Sequence, residues 1–129
     1  MHFKKLANTG IRISAIGFDT MPLSLKRRPS EIESIKLIHS TLDLGINFID
    51  TAATYFGDDV EEHHNEKLIC KALKSYKGNF GGHSKSMEDI IIATKCGLNN
   101  ERIRHGTTGD SKENFILENF LKFEALFLF

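Results

Sequence analysis

The chain has 129 residues, 40% of them hydrophobic and 26% charged, which is one domain's worth with enough apolar content for a real core. Acidic and basic residues balance at 17 each, leaving no net field to attract nucleic acid or an anionic membrane surface. The two cysteines form no CxxC pattern, no stretch of ~20 apolar residues occurs, and no apolar segment follows the N-terminal lysines; the expectation is a cytoplasmic protein rather than a disulfide scaffold or a membrane span.

In chain order, Phe3 to Leu6 and Ile11 to Ser14 flank Asn8-Thr9-Gly10, whose glycine can take the positive φ of a tight turn, so a leading β-hairpin is expected. Ala15-Ile16-Gly17-Phe18 reads as a short buried strand. Pro22 and Pro29 bracket a segment with Lys26, Arg27 and Arg28 that reads as a solvated loop. Ser30-Glu31-Ile32-Glu33 is a capping box and predicts a helix start. Ile35, Leu37, Ile38, Leu42 and Leu44, with Thr41 beside them, form its apolar face, and Gly45 ends it.

A strand over 46 to 50 follows, and a second helix runs from about His64 to Lys74 with Leu68, Ile69, Ala72 and Leu73 facing the sheet. Residues 77 to 89 read as a Gly- and Ser-rich loop before a strand from Ile90 to Thr94. This alternation of strands and helices predicts right-handed βαβ units and a parallel sheet, an α/β fold. Asp110 to Glu113 is a capping signal for a third helix. From Phe115 on, the tail holds half of the ten phenylalanines without settling into one helical stripe, as an out-of-frame or early-stopped end would.

Chemistry points to two strand ends. Residues 47 to 55 read NFIDTAATY, a strand stopping on Asp50 with Tyr55 just beyond it, and the strand at 90 to 94 is followed by Lys95. Parallel strands deliver reactive groups at their carboxyl ends, so these three could converge. A phenol with an ordinary pKa near ~10 is a poor acid at neutral pH, but a nearby ammonium stabilises its phenolate. Lys95 could act so on Tyr55, with Asp50 holding the ammonium charged and directed, giving a proton donor suited to carbonyl reduction. Taken singly, the three read as a strand-end cap, a packing residue and a solvent-facing lysine.

The segments GIRISAIGF, LDLGINFIDTAATY, HHNEKLICKAL and IIIATKCGL, in order over roughly residues 3 to 98, resemble the aldo-keto reductase family. The resemblance implies a (β/α)8 TIM barrel that moves a hydride from NADPH to an aldehyde or ketone. It implies catalytic roles for Asp50, Tyr55 and Lys95: Tyr55 would protonate the carbonyl oxygen, Lys95 would favour the phenolate, and Asp50 would hold Lys95. It places Thr20 and Asp50 at the cofactor. Because such a barrel takes ~250 residues, the expected fold is its N-terminal portion with the leading hairpin, the barrel incomplete.

Departures from the family pattern are specific. None of His2, His39, His63, His64, His83 or His105 matches the family's histidine, and six scattered histidines are not a metal site, so no metal is expected. The family's late cofactor-binding loops have no counterpart, Asp19 stands where a glycine is usual, and Cys96 stands where a glycine often follows the lysine. The expectation is therefore a truncated NADPH-dependent carbonyl reductase with impaired activity. A non-catalytic remnant or small α/β interaction domain is the alternative. Expected partners are a small carbonyl substrate and, through an exposed barrel edge, another copy of the chain.

Overall fold

The structure, a computed structural model, describes residues 1–78 and 89–95. Met1–Thr94 form one compact unit, and Lys95 is the first residue of a second. The expected helix start at 110 to 113, most of the expected loop over 77 to 89, the Phe-rich tail, Cys96, His83 and His105 lie outside the described residues.

The leading hairpin pairs β1 (Phe3–Lys5) antiparallel to β2 (Arg12–Ser14), with Phe3 opposite Ser14. Its turn needs Gly10 at φ 78°, and Thr9 closes it by donating both its amide and its hydroxyl to the Leu6 carbonyl. A three-stranded parallel sheet follows, in the order β3 (Phe18–Asp19), β4 (Phe48–Asp50), β5 (Ile91–Ala93). Asp19 lies in register with Asp50, and Asp50 with Ala93, so the three strands end level with one another. Helix α1 (Glu31–Asp43) connects β3 to β4, and α2 (His64–Ser75) lies between β4 and β5.

Each helix starts for a local reason. Ser30 accepts from the Glu33 amide while the Glu33 carboxylate accepts from the Ser30 amide and hydroxyl, the reciprocal capping box expected. These hydrogen bonds from Ser30 hold the Glu33 carboxyl below the usual glutamate range. Gly45, at φ 84°, takes the left-handed position that ends α1. His63 is the N-cap residue of α2 at φ 61°, a region non-glycine residues seldom occupy, and its Nδ1–H donates to Glu66 Oε2 at 2.6 Å instead of its side chain capping the helix.

The core joins Leu23, Ile38 and Leu42 to Ile49 of β4 and to Leu68, Ile69 and Ala72 of α2. Burying each Leu or Ile here is worth roughly 1.5–3 kcal/mol against leaving it in water. The two helices also touch through His39, whose Nε2 lies 2.8 Å from the Ala72 carbonyl and whose ring tilts against Tyr76. His39 is thus packed rather than available as a ligand. Asn47, almost fully buried, ties the hairpin to the sheet: its Oδ1 accepts from Ser14 N–H, and its Nδ2 donates to the carbonyls of Arg12 and Asp89.

Three expectations change. The strand after the hairpin begins at Phe18, and Ile16 is 62% exposed, because Ser14 Oγ donates to the Ile16 carbonyl and bends the chain there. The buried face of α1 is Ser34, Ile38, Thr41 and Leu42, whereas Leu37 and Leu44 are exposed; at about 100° per residue both fall roughly a quarter-turn to one side of that stripe, and Leu44 is the C-cap residue. The segment between the prolines is only partly solvated. Met21–Leu23 form a 3-10 turn that buries Leu23 and delivers Ser24 to the interior, and Arg28 is ion-paired with Asp59. Among the described residues, no helix is long and apolar enough to cross a membrane.

Candidate active site

Asp50 is the last residue of β4, and its backbone is gripped from both neighbouring strands. Thr20, just past β3, donates its N–H to the Asp50 carbonyl at 3.1 Å and has its hydroxyl 2.8 Å from the same oxygen, while Thr51 N–H donates to the Ala93 carbonyl at 2.8 Å. The chain then turns, closed by Tyr55 N–H to the Ala52 carbonyl. This turn brings the Tyr55 hydroxyl to 3.5 Å from Asp50 Oδ2, at the long edge of hydrogen bonding, with both residues half-buried. A phenol and a carboxylate therefore share one half-open corner beyond the sheet. Lys95, exposed, begins the second unit and follows Thr94 directly in the chain.

Thr20 is completely buried. Its hydroxyl lies 2.8 Å from the Asp50 carbonyl and 2.5 Å from Asn65 Oδ1, so its polar side-chain atom faces inward and supports Asp50. Asp19, which stands where a glycine is usual in the resembled pattern, is exposed and turns its carboxylate back to accept from the Met21 amide.

The first turn of α2 carries residues to which the sequence reading assigned no role. Asn65 sits at i relative to Leu68, Ile69 and Ala72 at i+3, i+4 and i+7, a polar residue on the buried stripe, and that misfit is the signal that could have marked it. Glu66 Oε1 accepts from Thr94 Oγ1 at 2.7 Å, so the carboxylate that binds His63 also holds the residue just after β5. His64 Nδ1 lies 2.8 Å from Ser24 Oγ. Ser24 Oγ also accepts from Asn65 Nδ2 at 2.7 Å, so it joins the two side chains of this turn. Burial, then the nearby Arg28 guanidinium, lowers the His64 pKa below the usual value.

His63 and His64 are thus bound to a carboxylate and a hydroxyl, and among the described residues no group of three or more His, Cys, Asp or Glu is arranged to hold a metal ion. A separate cleft of about 480 Å³ opens beside the N-terminus of α1, lined by Arg27, Arg28, Ser34, Asp59 and His64 among others. Neither Asp50 nor Tyr55 lines it, so the cleft is apart from the strand-end corner.

Residues 15–121 match the sequence pattern of the aldo/keto reductase family. The chain is 34% identical over 98 residues to L-galactose dehydrogenase of Arabidopsis thaliana, covering 75% of this chain and 27% of that protein. It is 40% identical over 97 residues to 6-dehydroglucose reductase of Novosphingobium aromaticivorans, covering 74% of this chain and 29% of that one. It superposes on the holo form of an aldo-keto reductase from Bacillus halodurans with a TM-score of 0.60 and 29% identity, over 90% of this chain and 33% of the other. The chain therefore spans less than a third of the curated relatives it matches. The solved relatives are (β/α)8 barrels, and the hairpin with β3–α1–β4–α2–β5 is a partial α/β fragment of that architecture whose described strands do not close. The match along the sequence and the shared strand-helix order together place this chain in the aldo/keto reductase family.

Proposed function

We propose that this chain supplies the proton-donating corner of an NADPH-dependent carbonyl reductase, with Tyr55 as the acid, Asp50 as its neighbouring carboxylate and Lys95 as the cation that favours the phenolate. The observation that carries the reading is the Tyr55 hydroxyl standing beside the Asp50 carboxylate beyond the end of a parallel strand. Family membership and the kinds of relative it brings, one a dehydrogenase and one a reductase, support it.

Asp50 and Tyr55, half-buried polar groups at the strand end, suit the reacting end of a nicotinamide cofactor, whereas the enclosed Thr20 hydroxyl does not. Bound NADPH would supply the hydride. Tyr55 would donate its phenolic proton to the oxygen of an aldehyde or ketone as that oxygen gains charge. The adjacent Asp50 carboxylate would keep a lysine ammonium charged and oriented. Residues 52 to 54, of which Ala52 and Ala53 are buried, would limit water behind the phenol. A reducing, cytoplasmic setting agrees with the free thiol of Cys70.

The test is consumption of NADPH by the purified chain with a panel of aldehydes and ketones, next to the Tyr55→Phe variant. Carbonyl-dependent consumption that Tyr55→Phe abolishes supports the reading. No saturable NADPH binding, or consumption unaltered by the substitution, overturns it.

A further inference from the structure

We propose that Asn65 is a positioning residue for the Asp50–Tyr55 turn, a role that rests on the reading of that turn as the proton-donating corner. A side-chain amide has two acceptor lone pairs and two N–H groups. In Asn65, fully buried, all four are engaged. Oδ1 accepts from the hydroxyls of Thr20 at 2.5 Å and Thr51 at 2.6 Å, and Nδ2 donates to the Thr20 carbonyl and to Ser24 Oγ, both at 2.7 Å. The amide cannot be turned over, because the Thr20 carbonyl can only accept and must therefore face Nδ2.

Two of these partners, Thr20 and Thr51, adjoin one residue. The Thr20 N–H donates to the Asp50 carbonyl, with the Thr20 hydroxyl placed between that carbonyl and Asn65 Oδ1, and Thr51 is the residue immediately after Asp50. Asn65 thus holds the donor that grips the Asp50 carbonyl and the side chain that follows it, bracketing the peptide unit on which the direction of the Asp50 side chain depends. A buried, fully satisfied polar network specifies one geometry, whereas an apolar residue in the same space would take a partner from three hydroxyls and a carbonyl. The stripe position of Asn65 would serve plain packing better with leucine, so the amide is explained by what it holds.

The chain contains two tyrosines and no tryptophan, so selective ¹³C-tyrosine labelling yields one ring signal from Tyr55 and one from Tyr76, assigned with Tyr76→Phe. Asp50→Asn sets the displacement of the Tyr55 signal when its carboxylate neighbour changes. Thr51→Val, which keeps the side-chain shape and removes one donor to Asn65, is expected to move the Tyr55 signal in the same direction and to leave Tyr76 in place. Thr51→Ser, which restores the hydroxyl, is expected to return Tyr55 to its original position, and Asn65→Ala to move it furthest. Thr51→Val decides the matter if Asn65→Ala does not fold. A Tyr55 signal unmoved in Thr51→Val, or moved equally by Thr51→Ser, overturns the proposal. The readout needs no turnover, so a chain that never consumes NADPH removes the catalytic reading without touching this result.

Discussion

The Tyr55 hydroxyl lies 3.5 Å from Oδ2 of Asp50 across a turn closed by the Tyr55 amide and the Ala52 carbonyl. If that phenol is the acid, removing its oxygen removes the proton and nothing else of size. Tyr55→Phe is expected to lower carbonyl reduction by roughly 10²–10⁴-fold, the usual contribution of a general acid, with NADPH affinity unchanged. Steady-state rates alongside a cofactor fluorescence titration check both halves.

Glu66 joins Thr94, after β5, to His63, before α2. Glu66→Ala removes both contacts and is expected to cost about 1.5–3 kcal/mol, the range for hydrogen bonds to a charged group. Glu66→Gln retains an acceptor for Thr94 and should cost less. Urea unfolding of the three proteins gives the order, and equal losses for Ala and Gln would show that Thr94 contributes nothing.

His64 has its pKa lowered by burial first and by Arg28 second, so the unfolded chain binds the proton more readily than the folded one. The stabilisation is present above the unfolded value of ~6.5 and is lost as pH falls below it through the folded pKa. Unfolding free energy is expected to fall on acidification by a component missing from His64→Gln, measured by denaturation at a series of pH values.

Tyr76 behaves in the opposite direction. Its burial, reinforced by its 2.6 Å hydrogen bond to Asp43 Oδ1, pushes its pKa up to about 12. The folded state holds the phenolic proton after the unfolded chain has released it. This stabilisation is whole below the unfolded pKa of ~10 and is lost as pH rises from there toward the folded pKa. Tyr76→Phe should flatten the alkaline fall in melting temperature over that window, while an unchanged fall would assign it to other groups.

Leu42 and Leu37 lie on the same helix but on opposite sides of the water boundary, with exposures of 0% and 44%. Leu42→Ala is expected to cost about 2–5 kcal/mol through lost burial and a residual cavity. Leu37→Ala should stay within about 0.5 kcal/mol. A large loss at Leu37 in solution would show that the outward face of α1 has a packing partner.

Much of the fold was legible because its signals are local. Ser30 and Glu33 are three residues apart and make their capping box with each other, Gly45 follows directly on the helix it ends, and Asn8-Thr9-Gly10 turns on its own hydrogen bonds. The Asp50–Tyr55 part of the candidate site was readable for the same reason, since strand, turn and phenol lie within nine residues of NFIDTAATY. The faces of α1 were less so. Leu37 and Leu44 are as apolar as Leu42, and only the direction in which the sheet lies separates them.

What the sequence by itself determined is therefore the set of elements, their parallel order and the strand-end residues, because capping, periodicity and turn chemistry act over a few residues. What only the tertiary structure decided is how those residues are held. Asn47 reaches Ser14 across 33 positions and Asn65 reaches Thr20 across 45, and neither contact has a local signature. A buried amide finds partners wherever the packed helices and strands leave unpaired hydroxyls and carbonyls, so its role exists only once the chain has folded around it.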